Sequence, residues 1–218
     1  MELKNKKIVF LGDSITEGVG VVNPENRFVD RIAAQTGAIC KNFGISGTRI
    51  ARQTIPSENK RHDMDFISRV DDLDADADII VVFGGTNDWG HGDAAFGTFE
   101  SRDIYSFYGA LHNLYTLLIE KFPGSQIVVL TPLHRTNERN PVTDKGHGNK
   151  PQILKDYVDA IREVTEYYSI PVLDLYKTSG IQPAIPTIKE KYAPDSVHPN
   201  DEGHKLLANR IIRFLETL

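Results

Sequence analysis

A single cysteine, Cys40, serves all 218 residues, so no intrachain disulfide can form and a cysteine-rich metal site is excluded. Set in the run Ala38-Ile39-Cys40, it reads as a buried, inert thiol. Long hydrophobic runs are missing too. After the lysine-bearing segment Met1 to Lys7, the apolar stretch lasts only from Ile8 to Leu11 before Gly12 and Asp13 intervene, which is too short for a signal-peptide core. Nothing approaches the roughly 18 apolar residues of a membrane span, so no integral membrane association and a cytoplasmic location are expected. Charge of one sign is not concentrated anywhere: 25 Lys and Arg stand against 30 Asp and Glu, a net −5, interspersed along the chain. That balance argues against nucleic acid or anionic membrane as the main partner. Repeats, low-complexity tracts and linker composition are absent as well, so residues 1–218 are expected to form one domain. No feature of the sequence specifies an oligomeric state.

What is present is 40% apolar residues and an alternation of two periodicities. Five short runs rich in aliphatic and β-branched residues read as strands buried on both faces: Lys7 to Gly12, Ala38 to Phe43, Asp78 to Phe83, Gln126 to Thr131 and Ile170 to Leu175. Between and after them, apolar residues at three- and four-residue spacing predict helices at Arg27 to Thr36, Asp63 to Leu73, Asp103 to Lys121, Gln152 to Tyr168 and Glu202 to Leu218. Strand and helix alternate from end to end, which predicts an α/β fold: a parallel sheet covered by helices on both faces. Ligands of such sheets sit beyond the carboxyl ends of the strands. Three long polar stretches, 89–101, 134–149 and 177–199, are expected to be functional or mobile loops.

The chemistry-bearing residues fall at those strand ends. The first strand runs into Gly12-Asp13-Ser14, which puts a hydroxyl at the sheet edge, although a small polar residue there also suits a helix cap. The second ends in Asn42-Phe43-Gly44-Ile45-Ser46-Gly47-Thr48-Arg49, either a tight turn or a nest of backbone N–H groups aimed at an anion. The third ends in Gly84-Gly85-Thr86-Asn87-Asp88, where Asn87 is a turn former or an amide donor. Asp195 stands three residues ahead of His198, a spacing that lets a carboxylate hold the imidazole Nδ1–H and leave Nε2 free, or makes a plain surface pair. Taken together they supply what acyl transfer requires: a nucleophile (Ser14), a base (His198), its orienting acid (Asp195), and oxyanion donors from the backbone of Ser14 and Gly47 and the side chain of Asn87.

This set resembles the SGNH (GDSL) hydrolase family, over residue 8 to about residue 206, with the four signature positions on Ser14, Gly47, Asn87 and His198. The resemblance implies a flavodoxin-like three-layer αβα sandwich with a five-stranded parallel sheet, and a cofactor-free serine esterase, lipase or acylhydrolase. Other readings compete. The serine turn is not the Gly-x-Ser-x-Gly elbow, since position 16 is Thr, and Ser46 is a poor second nucleophile. A nucleotide-binding module of the same architecture is weakened because no phosphate-binding glycine motif follows a strand, and a catalytically silent module because the full serine, oxyanion and histidine set is present. A metal hydrolase built on His91, Asp93, His134 and His147 shows no ligand spacing such as His-Glu-x-x-His. His62, His112 and His204, in predicted helices, read as structural or surface residues.

For the substrate, Asp13, Arg49, Trp89 and His134 are the expected binding residues. Trp89, Phe96 and Phe99 form either an aromatic wall or core, and Arg49, Arg135 and Arg139 are either anion binders or solvated charge. The lack of a long hydrophobic lid favours small esters such as acetylated carbohydrates, with a lysophospholipase or thioesterase as the alternative.

Overall fold

The computed structural model describes residues 1–140, 143–144, 148–149 and 151–218. Five parallel strands make the main sheet: β1 (Lys7–Gly12), β2 (Ile39–Gly44), β3 (Ile79–Phe83), β4 (Gln126–Leu130) and, numbered after two short hairpin strands, β7 (Val172–Leu173). They lie in the order β2-β1-β3-β4-β7, and the hairpin pairs β5 (Thr143–Asp144) with β6 (Gly148–Asn149). The helices are α1 (Ser14–Glu17), α2 (Phe28–Thr36), α3 (Thr86–His91), α4 (Phe107–Lys121), α5 (Leu154–Tyr167), α6 (Leu175–Thr178), α7 (Pro186–Tyr192) and α8 (Asp201–Glu216). This is the αβα sandwich that the strand and helix alternation predicted.

The two-residue period of the strands divides the core between the faces of the sheet. Ile8 and Phe10 of β1 pack with Phe28 and Ile32 of α2 and Leu207 and Ile211 of α8. Val9 and Leu11 point the other way, toward Leu111 and Leu114 of α4 and Tyr157 and Ile161 of α5. Each such aliphatic side chain contributes roughly 1.5–3 kcal/mol by leaving water. His204 completes the first face as a neutral ring: burial pushes its pKa down to about 4, and its Nδ1 accepts from Phe28 N at 3.0 Å, satisfying an orphan donor of α2.

Two sequence expectations need correction. β2 is an edge strand with half-exposed residues rather than one buried on both faces; Ile39 is 50% exposed. The helix expected over Asp63 to Leu73 is instead two 3-10 segments, Lys60–Asp63 and Ile67–Asp72. Asp65 breaks it, since its carboxylate takes Ser68 N at 2.9 Å and its carbonyl takes Ser68 Oγ at 2.8 Å. The loop 177–199 contains α7, and 89–101 begins inside α3. Among the described residues no helix is long and apolar enough to cross a membrane.

The register decides where chemistry can gather. Gly12 pairs with Gly44 on one side and Phe83 on the other, so the ends of β2, β1 and β3 are level. The strand order reverses direction at β1, leaving a crevice between the loops after β1 and β3, the topological switch point of a doubly wound sheet.

Candidate active site

Ser14 is the first residue of α1, so its N–H has no partner within the helix. Asp13 caps the turn, its carboxylate accepting from Ile15 N at 3.0 Å. Being almost fully buried, that carboxyl is pushed up to about 6, against the pull of this hydrogen bond, His198 and Arg69. The turn packs down on the end of β2, where a Cβ at Gly44 would lie 2.1 Å from Glu17 N.

Behind it lies a lattice that the sequence reading missed. Glu17 Oε2 accepts from Ser46 N at 2.6 Å and Oε1 from Arg61 Nη2 at 2.6 Å, tying α1 to the loop after β2. The buried Arg69 guanidinium donates to Phe43 O at 2.9 Å, Gly12 O at 3.0 Å and Thr48 Oγ1 at 3.3 Å. Burial lowers its pKa to about 10 while Asp13 supports its charge. Only the clustering of polar residues near the motifs hinted at these ties, because each partner comes from a distant part of the chain. Gly47, at φ +78°, occupies the left-handed region, and a Cβ there would come within 2.6 Å of the His62 ring. Asn87 Nδ2 donates one hydrogen to Thr48 O at 2.9 Å, which aims the amide and leaves its second hydrogen over. Asp88 takes Ile50 N at 3.0 Å and Ala51 N at 2.9 Å, fixing the far side of the same loop.

His198 arrives from the other end of the chain. Its Nε2 lies 2.9 Å from Ser14 Oγ and its Nδ1 2.6 Å from Asp195 Oδ2. A carboxylate can only accept, so the hydrogen sits on Nδ1 and Nε2 is free to take the serine proton. Asp195 Oδ1 also accepts from Val197 N at 2.8 Å and His198 N at 2.7 Å. Burial works to raise the Asp195 pKa, but these backbone donors and the imidazole outweigh it and hold the carboxyl below its usual range. Ser196 between them is left-handed, φ +74°, a strained conformation that brings both side chains to one side. Asn200 anchors the loop, with its N on Tyr192 O at 2.8 Å and its side chain capping α8 at Gly203 N, 3.1 Å.

The profile of the GDSL-like Lipase/Acylhydrolase family matches residues 10–206 of this chain. The chain belongs to that family. Its fold is shared by a solved protein of Lactobacillus plantarum, 30% identical, with a TM-score of 0.81 over 98% of each chain. A protein described as a GDSL-like lipase from Bacteroides uniformis is 21% identical, with a TM-score of 0.71 over 98% of this chain and 97% of its own. An acetylxylan esterase of Xylanibacter ruminicola is 23% identical over 94% of this chain. This family member spans only 42% of that esterase's length.

The remaining expected site residues are dispersed. Arg49 is buried and holds loops together: Nη2 lies 2.7 Å from His91 Nδ1, and Nη1 donates to His62 O at 3.2 Å. Trp89, only 5% exposed, belongs to the core. Phe96 packs on Phe107, Tyr108 and Tyr157, and Phe99 on His112 and Tyr167, so these rings line the helix interface instead of an open wall. His134 Nδ1 meets Glu138 Oε1 at 2.7 Å, and Tyr176 OH donates to the same oxygen at 3.2 Å. Asp93 receives Thr54 and Ile55 N–H groups, while His147 lies outside the described residues. Among the described residues no three His, Cys, Asp or Glu side chains cluster as a metal site. A cavity of about 370 Å³ beside His112, Thr116 and Tyr168 lies away from Ser14, His198 and Asp195, none of which lines it.

Proposed function

We propose that this chain is a serine-dependent carboxylic ester hydrolase working through an acyl-enzyme on small esters, acetylated carbohydrates foremost. The observation that carries the reading is the continuous hydrogen-bonded line from Ser14 Oγ through both nitrogens of His198 to Asp195. In the first step Ser14 Oγ attacks the acyl carbon as its proton passes to His198 Nε2. Negative charge moves to the carbonyl oxygen, where the Ser14 and Gly47 N–H groups and the spare Asn87 hydrogen serve as donors, each worth about 2.7–4 kcal/mol. The tetrahedral adduct collapses, and the leaving alkoxide takes the proton from His198. Water then repeats the sequence, giving its proton to Nε2, and the carboxylic acid departs from Ser14. Asp195 holds the tautomer throughout and supports the imidazolium.

Two observations favour a small acyl group. Trp89, Phe96 and Phe99, the aromatic residues that follow Asn87 in the chain, pack into or against the core and line no acyl channel with their rings. The acetylxylan esterase relative points the same way. Hydrolysis of 4-nitrophenyl acetate by wild type and Ser14→Ala tests the reading. Loss of turnover by about 10⁵- to 10⁶-fold in the variant is expected, as for other triad nucleophiles; equal rates would falsify it.

A further inference from the structure

Arg49, Arg69 and Arg135 lie among the loops at the carboxyl edge of the sheet, and the Nη donors of the first two are spent. Arg49 and Arg69 give their donors to carbonyls, a hydroxyl and His91 within the protein. Arg135, in the loop after β4, is different. Its Nη1 makes two long hydrogen bonds, 3.3 Å to Thr86 O and 3.2 Å to Thr86 Oγ1, next to Asn87. Its guanidinium lies 4.9 Å from the centre of the Trp89 ring, a flat apolar floor. Nε is sealed from water without a partner, as it also is in Arg49 and Arg69; what sets Arg135 apart is that its Nη groups reach only Thr86 and that no carboxylate among the described residues forms a salt bridge with the head. The acidic groups around it are already engaged: Glu138 with His134 and Tyr176, Asp195 with His198, and Asp13 with the α1 turn.

An arginine remains charged even when half-buried, and leaving such a charge unpaired is costly. Burial depresses the Arg135 pKa, while Asp13, beside Ser14, and Asp195, beside His198, act electrostatically to support its charge. The head is thus within electrostatic reach of both ends of the proposed catalytic array. We propose that Arg135 is a specificity-determining residue that pairs with a carboxylate carried by the ester substrate, as in an acetylated acidic sugar. The planar head, held over Trp89, donates from Nη2 to a carboxylate oxygen while Nη1 stays on Thr86, linking recognition to the helix that bears Asn87.

The proposal rests on the esterase reading, and its test separates the two. Two matched pairs are compared by kcat/KM: 4-acetoxybenzoate against 4-acetoxybenzamide, with the charge on the leaving group, and 4-nitrophenyl hemisuccinate against 4-nitrophenyl butyrate, with it on the acyl group. Wild type is expected to favour the charged member of one pair by about 10-fold or more, the scale of a charge-assisted hydrogen bond; which pair responds assigns the side. Arg135→Gln is expected to collapse that ratio toward unity, and Arg135→Lys, which keeps charge without the planar fork, to retain part of it. A wild type with no preference in either pair overturns the proposal without any variant. So does an Arg135→Gln enzyme that slows charged and neutral esters by the same factor, the signature of a residue that merely supports Thr86. If Ser14→Ala hydrolyses all four esters as wild type does, the serine reading itself has failed.

Discussion

The Ser14 side and the His198 side of the site are built in opposite ways. Around Ser14, ties converge from residues far apart in sequence: Arg69 on Gly12 and Phe43, Glu17 on Ser46, Asn87 on Thr48, with Arg69, Gly12, Asn87 and Thr48 buried. Around His198, the holding bonds are local and half open to water. Asp195 reaches residues two and three ahead in its own turn, and its side chain is 54% exposed. In the proposed mechanism the Ser14 half presents the nucleophile and oxyanion donors without reorganising, and it is the cross-tied half. The half proposed to pass a proton is a short turn anchored by Asn200, Tyr192 and the start of α8.

The contrast breaks most visibly at Asp195. Asp195→Asn should lower kcat for an aryl acetate by about 10⁴-fold, because the amide stabilises the wrong imidazole tautomer. The midpoint of thermal unfolding should barely move, since the exposed turn contributes little to the core. A large drop in Tm would mean the His198 loop is as structural as the Ser14 side.

Asn87→Ala should act on both quantities. Turnover should fall by about 10²- to 10³-fold through loss of an oxyanion donor, and stability by about 1–3 kcal/mol because Thr48 O loses its buried partner. Calorimetry beside kinetics checks the pair of effects; a change in rate with Tm untouched would show that the Thr48 tie carries no stability.

The smallest effect concerns Asp13. Its carboxyl titrates near 6 when folded and near 3.8 when free, so the native state holds the proton more tightly. Stability from this group is present in full below the lower value and declines as pH rises through the upper one, by up to about 3 kcal/mol. Asp13→Asn keeps an acceptor for Ile15 N but cannot ionise. Its stability relative to wild type, measured by denaturant unfolding at pH 4 and pH 8, should improve at the higher pH; a constant difference would mean that Asp13 ionises freely in the folded protein.

Much of the framework was readable in the chain. Lys7 to Gly12 and Ile79 to Phe83 are continuous apolar runs because they are central strands covered on both faces. Ala38 to Phe43 carries similar residues, yet β2 is an edge, and edge position depends on how the strands are ordered in space. For the site, Asp195 and His198 were legible because their contact spans one turn. Glu17, Arg69 and Arg135 were not, since their meaning lies in partners dozens of residues away. Arg49 and Trp89 read as surface binders because residue type does not reveal burial.

Local chemistry alone therefore set the alternation of strand and helix, the polar groups at each strand end, and the Asp195–His198 turn, all of which depend on neighbours within a few residues. Only folding decided that Gly12, Gly44 and Phe83 end level, that Ser14 and His198 meet across 184 positions, and that Arg49 is spent while Arg135 is not. Strand order and burial arise from contacts between distant segments, and no local stretch of sequence contains them.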